Sequence, residues 1–404
     1  MPLSLRQKRI ALRLGEPGFR LAHWLARLVS LDLFRSHDIT PPKSAFSVLV
    51  MRLDTIGDVL LTEPAIAHLR TRFPAARLHV VCGSAGEALL AGHPAIDRLI
   101  VFDAPWHAAW RGESVRWAER SRELLRVLRE LRRQRYAFAF EMRGDIRDIL
   151  FARLCGARTL VGNGWRGGGY LLHHDVPAPA DEHRVAFALR IASWPHPPPE
   201  ARSPRLQLTG DQRTAAARAL APLDGRPCVA FHLGAGFPSK CLPAATFAAV
   251  ANRLRERGLS TVVVGGPGED ALAREFEDVV AERPLVLVGK LGILETAAVL
   301  ERCDLFIGND SGPMHLAAAV GTPVVCFFGP SEPKKYHPHG APYRLLELDL
   351  PCRPCDHVHC VQGENICLTG IRADDIVAAA EELLAPVPVS RRARLKGGGF
   401  KEEE

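Results

Sequence analysis

Nowhere in the 404 residues does an apolar run reach the about 18 residues that a membrane-spanning helix needs, so no spanning segment is expected. The amino terminus has no apolar core followed by a small-residue cleavage site, which argues against a secretory signal. Tyrosine is scarce, at four residues, leaving few rings on which nucleic-acid bases could stack. No G-x-G-x-x-G follows the first strand, which weakens a dinucleotide-dependent oxidoreductase reading. Hairpin signals are also missing, so the strands are expected to be parallel and joined by helices.

The length is too great for one typical core and fits two domains with connecting segments. Apolar content of 47% and charged content of 24% are those of an ordinary folded protein. A net charge of +7 favours acidic partners, whether nucleic acid, anionic membrane or a phosphorylated substrate, and charge alone does not choose among them. Six of the ten cysteines (Cys82, Cys155, Cys228, Cys241, Cys303, Cys326) are scattered, mostly in apolar runs, as buried thiols of a reducing compartment would be. A cytoplasmic location follows. Residues 1–45 carry eight Lys or Arg against three acids, interleaved with Leu12, Phe19, Trp24, Leu28 and Phe34. This basic amphipathic extension suits either the surface of an anionic inner membrane or an extra helix packed on the first domain.

From Phe46 an α/β series begins. Strands are expected over Phe46–Arg52, Arg77–Cys82, Arg98–Phe102, Ala137–Glu141 and Thr159–Gly162, making a first domain of 46–180. A helix from about Ser114 to Arg135 bears nine Arg on its outer side from Arg111 onward and reads as a solvated face. The loop GNGWRGGGY, Gly162–Tyr170, reads as a loop near the sheet edge, where an acceptor could touch it. Proline crowds 177–204, so a linker is set at 181–210. A second domain, 211–385, then brings strands over Cys228–His232, Thr261–Val264, Leu285–Val288, Leu305–Ile307 and Val324–Phe328. The fold class is therefore α/β, two facing Rossmann-like domains with a cleft between them. The last helix, about Ala373 to Leu384, is expected to close over the first domain, and 386–404 to be a disordered tail.

Loops at the carboxyl edge of such sheets carry the ligands. After the first strand, Gly57 allows a tight turn and Asp58 opens a helix. An acid there also satisfies the helix dipole with no further role. In LFIGNDSGPMHLAAAVGTPVVCFFGP, Ser311 is the expected N-cap, Gly312 and Pro313 open the helix, and the run of alanines keeps it thin. Its N-terminus, with about half a positive charge, suits a phosphate or diphosphate. Gly234–Lys240 brings glycines and one lysine to another strand end, as a phosphate grip requires. Glu269, after a later strand, could accept hydrogen bonds from ribose hydroxyls or merely cap a helix.

Three stretches together resemble glycosyltransferase family 9, the lipopolysaccharide heptosyltransferases: MRLDTIGDVLLTEPAIAHLRTRFP, HLGAGFPSK and GNDSGPMHLAAAVGTPVVCFFGPSEP, in that order between about 46 and 335. The resemblance implies the GT-B fold and transfer of heptose from a nucleotide-heptose, ADP-heptose by preference, to a lipid-linked oligosaccharide with inversion. It implies Asp58 as general base and Lys240 at the donor diphosphate. Gly57, Gly234, Glu269, Asn309, Asp310, Ser311, Gly312, Met314 and His315 become the donor-binding set, with Glu269 on the nucleotide ribose. Cys241 and Leu242 depart from the family, which usually has an aromatic after the lysine. No D-x-D triplet occurs, which favours stabilising the leaving group without a metal, and no cofactor is called for.

Cys352, Cys355, Cys360 and Cys367 crowd into the loop 352–367 with His357 and His359. Their spacing fits a zinc or iron–sulfur clasp, but similar tails in relatives need no metal, so the sequence leaves the point open. Two competing functions are a nucleotide-sugar epimerase or hydrolase on the same plan, and a basic nucleic-acid-binding protein with a cysteine clasp. Dispersed Arg and Lys and the lack of a C₂H₂ helix signature speak against the second, so no nucleic-acid partner is expected.

Overall fold

A computed structural model of the chain describes residues 40–110 and 117–384. The basic extension up to residue 39 and the tail from 385 lie outside the described residues, as do 111–116. Two six-stranded sheets form the frame, each wholly parallel. The first contains β1 (Ser47–Arg52), β2 (Arg77–Cys82), β3 (Arg98–Val101), β4 (Phe138–Glu141), β5 (Thr159–Gly162) and β6 (His174–Asp175) in the order β3-β2-β1-β4-β5-β6. The second contains β7 (Cys228–His232), β8 (Ser260–Val263), β9 (Leu285–Val286), β10 (Leu305–Asn309), β11 (Val324–Phe327) and β12 (Tyr343–Leu346) in the order β12-β11-β10-β7-β8-β9. The helices needed here are α1 (Ile56–Arg72), α2 (Trp117–Arg133), α3 (Ile146–Leu154), α4 (Arg184–Ser193), α5 (Ala244–Glu256), α6 (Asp270–Val279), α7 (Ile293–Arg302), α8 (Gly312–Ala319) and α9 (Ala373–Leu384).

Sequence dictates this layering. All six residues of β1, SVLVMR, are buried, as are all five of β7 and of β10, because helices cover both faces of each sheet. Each sheet reverses its winding once, between β1 and β4 and between β10 and β7. Crevices open at such points, and the loops after β1, β4, β7 and β10 all rise there. One hydrophobic core runs without a break across both sheets, from Val48, Val59 and Phe140 to Val262, Phe306 and Met314.

Four elements depart from the sequence-based expectation. The stretch read as linker contains α4, whose Val185, Phe187, Ala188, Leu189 and Ile191 are buried against the first domain's core. Arg72 of α1 ties it down by donating to the carbonyls of Ala192 (2.6 Å) and Trp194 (2.9 Å). The strands β6 and β12 were not expected; both are edge strands with half-exposed residues, so they lack a continuous apolar run. Finally, α9 does not close over the first domain. Ile376, Val377, Ala379 and Ala380 pack under the second sheet with Phe231, Phe247 and Phe327. Ile371 sits in that same core two residues before α9 begins, leaving no chain to carry the helix elsewhere. The Arg-rich α2 does have the expected ion-paired face, with Arg120–Glu123 at 2.9 Å and Arg126–Glu130 at 3.5 Å.

Candidate active site

Two helix N-termini, one from each sheet's reversal point, meet at the centre of the molecule. The loop after β1 delivers Gly57 and Asp58 in the first turn of α1, and the loop after β10 delivers Asp310 and the start of α8. A Cβ added to Gly57 would stand 2.7 Å from His315 Cδ2, and one added to Gly312 would stand 3.3 Å from Ile56. Glycine at both positions is thus what lets the helices approach. Neither N-cap side chain takes a backbone N–H of its own helix. Thr55 donates instead to Asp58 Oδ2 at 3.1 Å, and the Ser311 hydroxyl is engaged with Asn309 O at 3.1 Å and His232 Nδ1 at 3.0 Å. Ser311 holds the N-cap position that the sequence indicated but does not cap. Two uncapped helix starts side by side concentrate positive potential on one spot.

Asp58 faces this spot from the first domain. Arg52, buried at the end of β1, donates to Asp58 Oδ1 at 2.6 Å and also to the Met142 carbonyl. Burial alone would raise the Asp58 carboxyl, but Arg52, Arg184, Arg143 and the Thr55 hydroxyl outweigh it and hold it at about 2. Asp58 is therefore ionised at any physiological pH. Behind Arg52 lies a charged stretch after β4. Glu141 accepts from the backbone N–H groups of Arg143 (2.9 Å) and Gly144 (2.8 Å), and Arg143 pairs with Asp54 (3.1 Å) and Asp148 (3.3 Å). Burial, reinforced by Asp148, pushes the Glu141 carboxyl up to about 8 despite those bonds.

The second domain supplies the opposite wall. Lys240, in the short turn Pro238–Lys240, donates to Asp310 Oδ2 at 2.6 Å, and Ser331 donates to the same oxygen at 2.5 Å. Burial opposes the Lys240 charge and Asp310 restores it, so the ammonium is held charged. Phe237, not a residue after the lysine, supplies the nearby ring, with Nζ 5.9 Å from its centroid. Leu242 is buried and gives its N–H to Asn309 Oδ1 at 3.0 Å. Asn309 is itself fully buried and donates to the carbonyls of Leu233 (2.8 Å) and Gly234 (3.1 Å). Its amide is thus spent on stapling two loops together. Met314 is likewise fully buried in the shared core.

Glu269 does stand at this wall. It accepts from Gly266 N–H at 2.7 Å and pairs with His232 Nε2 at 3.2 Å, so the His232 imidazole links Glu269 to Ser311. Its carboxylate overlies Gly234, where a Cβ would come within 1.9 Å of Oε1. His315 is buried, its Nδ1 has no hydrogen-bond partner among the described residues, and burial lowers its pKa, leaving a neutral ring in the fields of Asp310 and Asp58.

Several site residues were not foreseen. Arg52 lies within the first motif but is assigned no role by it, and Glu141 and Arg143 lie outside the motifs, although EMRGDIRD packs five charges at the end of a buried strand, an arrangement that signals a strand-end site. The cysteine loop has a role that spacing did not suggest. Cys355 and Asp356 donate backbone N–H to Pro330 O at 2.9 and 3.0 Å, Ser239 Oγ donates to His357 O at 2.5 Å, and Asn365 donates to Pro238 O at 3.2 Å. The loop thereby clamps the turn that carries Lys240. Its cysteines are free thiols, and among the described residues no three His, Cys, Asp or Glu side chains are arranged to hold a metal ion. No described helix is long and apolar enough to cross a membrane.

Known proteins give this geometry a context. The family model "Glycosyltransferase family 9 (heptosyltransferase)" matches residues 124–366, which is more than half of the chain. The chain is 24% identical to the lipopolysaccharide heptosyltransferase 3 of Escherichia coli over 354 residues, covering 81% of this chain and 96% of that protein. Among solved structures it is similar to a glycosyl transferase family 9 protein of Veillonella parvula, with TM-score 0.70, 24% identity and coverage of 84% and 97% of the two chains. It is also similar to the ADP-heptose lps heptosyltransferase II of E. coli, with TM-score 0.66, 20% identity and coverage of 86% and 100%.

Proposed function

This chain belongs to glycosyltransferase family 9, the heptosyltransferases, and from that premise we propose that it moves a heptose from a nucleotide-diphosphate sugar to a lipopolysaccharide-core or similar lipid-linked acceptor, with inversion. The observation that carries this reading is the meeting of two helix N-termini, with Asp58 on one side and the Lys240–Asp310 pair on the other. ADP-heptose is the favoured donor because the E. coli relative of the same fold is an ADP-heptose enzyme. In this reading residues 46–180 hold the acceptor and 211–385 the donor. The basic N-terminal extension rests on the cytoplasmic face of the inner membrane, which brings the lipid-linked acceptor within reach.

The chemistry follows from the charges. The acceptor hydroxyl gives its proton to the Asp58 carboxylate as its oxygen bonds to C1 of the donor sugar. The bond from C1 to the diphosphate oxygen breaks on the opposite face, and negative charge grows on the leaving diphosphate. Lys240, kept charged and aimed by Asp310, and the uncapped start of α8 receive that charge. Glu269 is set for the ribose hydroxyls, and Asn309 and Met314 shape the wall without touching the ligand. Because the site draws on both domains, their closure excludes water and assembles it.

The test is mass spectrometry of the products. Incubation with ADP-heptose and a lipopolysaccharide-core acceptor should add one heptose to the acceptor and release ADP. Consumption of the donor at the same rate without acceptor would instead indicate an epimerase or hydrolase.

A further inference from the structure

Near Asp58, three cations gather round one indole. Trp165 lies in the loop after β5 and is 41% exposed. The Arg166 guanidinium carbon is 4.3 Å from the ring centroid, that of Arg184 is 5.0 Å away, and the Lys335 ammonium 5.8 Å. Among the described residues none of the three has a carboxylate within ion-pairing distance, although Arg52, Arg143 and Arg147 nearby all do. The charged groups around them are Asp54 and Arg143 near Arg166, Asp356 and Glu332 near Lys335, and Asp58 near Arg184. Burial lowers the pKa of both Arg166 and Lys335, and Arg184 lowers each further. Three positive groups converging on one ring repel one another, and an anion bound among them would relieve that repulsion.

The ring they surround is held in place. Trp165 Nε1 donates to Arg143 O at 3.0 Å, and its backbone N–H donates to Asn163 Oδ1, also at 3.0 Å. Asn163 is buried and anchored in turn on Val176 O at 2.5 Å. A Cβ on Gly144 would fall 2.5 Å from Trp165 Cδ1, so the ring packs directly on the backbone there. Arg184, at the start of α4, donates to the Tyr336 hydroxyl at 3.2 Å, which joins this corner to the second domain. Arg166 lies between β5 and β6 and Arg184 just after β6, whereas Lys335 lies between β11 and β12 of the second sheet.

We propose that Trp165, Arg166, Arg184 and Lys335 form an anion subsite next to Asp58 that takes a phosphate or carboxylate carried by an acceptor sugar. The exposed ring offers a face on which a sugar can lie, and the cations meet its acidic substituent. Arg184 also bears on Asp58 electrostatically, so an occupied subsite sits where the acceptor hydroxyl must reach the base. The donor diphosphate has its own partners in Lys240 and α8, which leaves this cluster to the acceptor. Since the cations come from both halves of the chain, the bound anion also latches the domains together.

This inference rests on the transfer reading above, and the experiment separates the two. Arg166→Gln and Lys335→Gln are assayed in the full chain against three acceptors: native, phosphate-stripped and carboxyl-reduced. Each variant should raise the KM for native acceptor about ten- to hundredfold, the loss expected for one charge-assisted hydrogen bond, with the donor KM within about twofold. The wild type should lose a similar factor on whichever acceptor lacks the recognised group, and the variants should lose nothing more on it. That acceptor identifies the anion as phosphate or carboxylate. An unchanged acceptor KM, or a shift in donor KM instead, overturns the subsite. If the wild type transfers to no acceptor, the transfer reading fails, and calorimetry then judges the subsite alone. With ADP present to fill the diphosphate site, inorganic phosphate should bind the wild type at least tenfold more tightly than the Arg166→Gln/Lys335→Gln double variant, and equal binding rejects the proposal.

Discussion

Replacing Arg52 by Gln removes the buried cation that pairs with Asp58 at 2.6 Å. In the native protein burial raises this carboxyl, yet Arg52 and its neighbours bring it from the ordinary 3.8 down to about 2. Without Arg52 the strongest opposing charge is gone while burial remains, so the carboxyl's pKa should rise well above about 2. At pH 4 a group titrating at about 2 is about 99% ionised, and each unit by which its pKa rises moves the acid limb up by one pH unit. If Asp58 accepts the acceptor's proton, kcat/KM of the native enzyme stays flat from neutrality to pH 4. That of Arg52→Gln should develop an acid limb at a higher pH than the native enzyme's. The assay is the pH dependence of kcat/KM for heptosyl transfer, with circular dichroism at each pH as a control for folding. An acid limb at the same pH in both proteins would refute the reasoning. The same pairing has a stability consequence. Because the folded carboxyl titrates below its unfolded value of 3.8, the native protein holds about 2 kcal/mol from this group above pH 4 and loses it as pH falls through about 2.

Other substitutions probe the opposite wall and the frame. Lys240→Ala removes the cation aimed by Asp310 and should lower kcat by about 10²–10³, near 2.7–4 kcal/mol; near-normal turnover would exclude Lys240 from leaving-group stabilisation. Gly57→Ala puts a methyl 2.7 Å from His315 Cδ2, so the helix starts must part; kcat should drop at least tenfold and stability by about 1–3 kcal/mol, and an unaffected kcat would mean that their close approach is not needed. Asn309→Ala strips one N–H and two carbonyls of their partners inside a fully buried site. Urea unfolding should register a loss of about 3 kcal/mol, and a loss under about 1 kcal/mol would contradict the stapling role.

The sheets were legible because buried parallel strands write themselves as apolar runs: Arg77–Cys82, Thr159–Gly162 and Cys228–His232 are bounded as the sequence indicates. What escaped was structure that does not depend on local pattern. The helix α4 hides between prolines, and its apolar face makes sense only once α1 is there to receive it. The edge strands β6 and β12 are too short and too exposed to carry a signal. At the site, motif order pointed to Asp58, Lys240, Glu269 and Asp310, which do line the facing walls. Their partners are remote in sequence. That Gly57 is a glycine because of His315, more than 250 positions away, is a fact of packing between domains that no local rule expresses. The cysteine loop shows the converse: spacing drew attention to its side chains, while its backbone is what holds the Lys240 turn.

The proposed division of labour has Asp58, on the first domain, removing the acceptor's proton while the second domain holds the donor. It is tested most directly by measuring heptosyl transfer by Asp58→Asn together with ADP binding to the same protein. A fall in kcat of about 10²–10⁴, the range of a lost general base, is expected, with ADP affinity within about twofold of the native value. Turnover close to native in Asp58→Asn would contradict it.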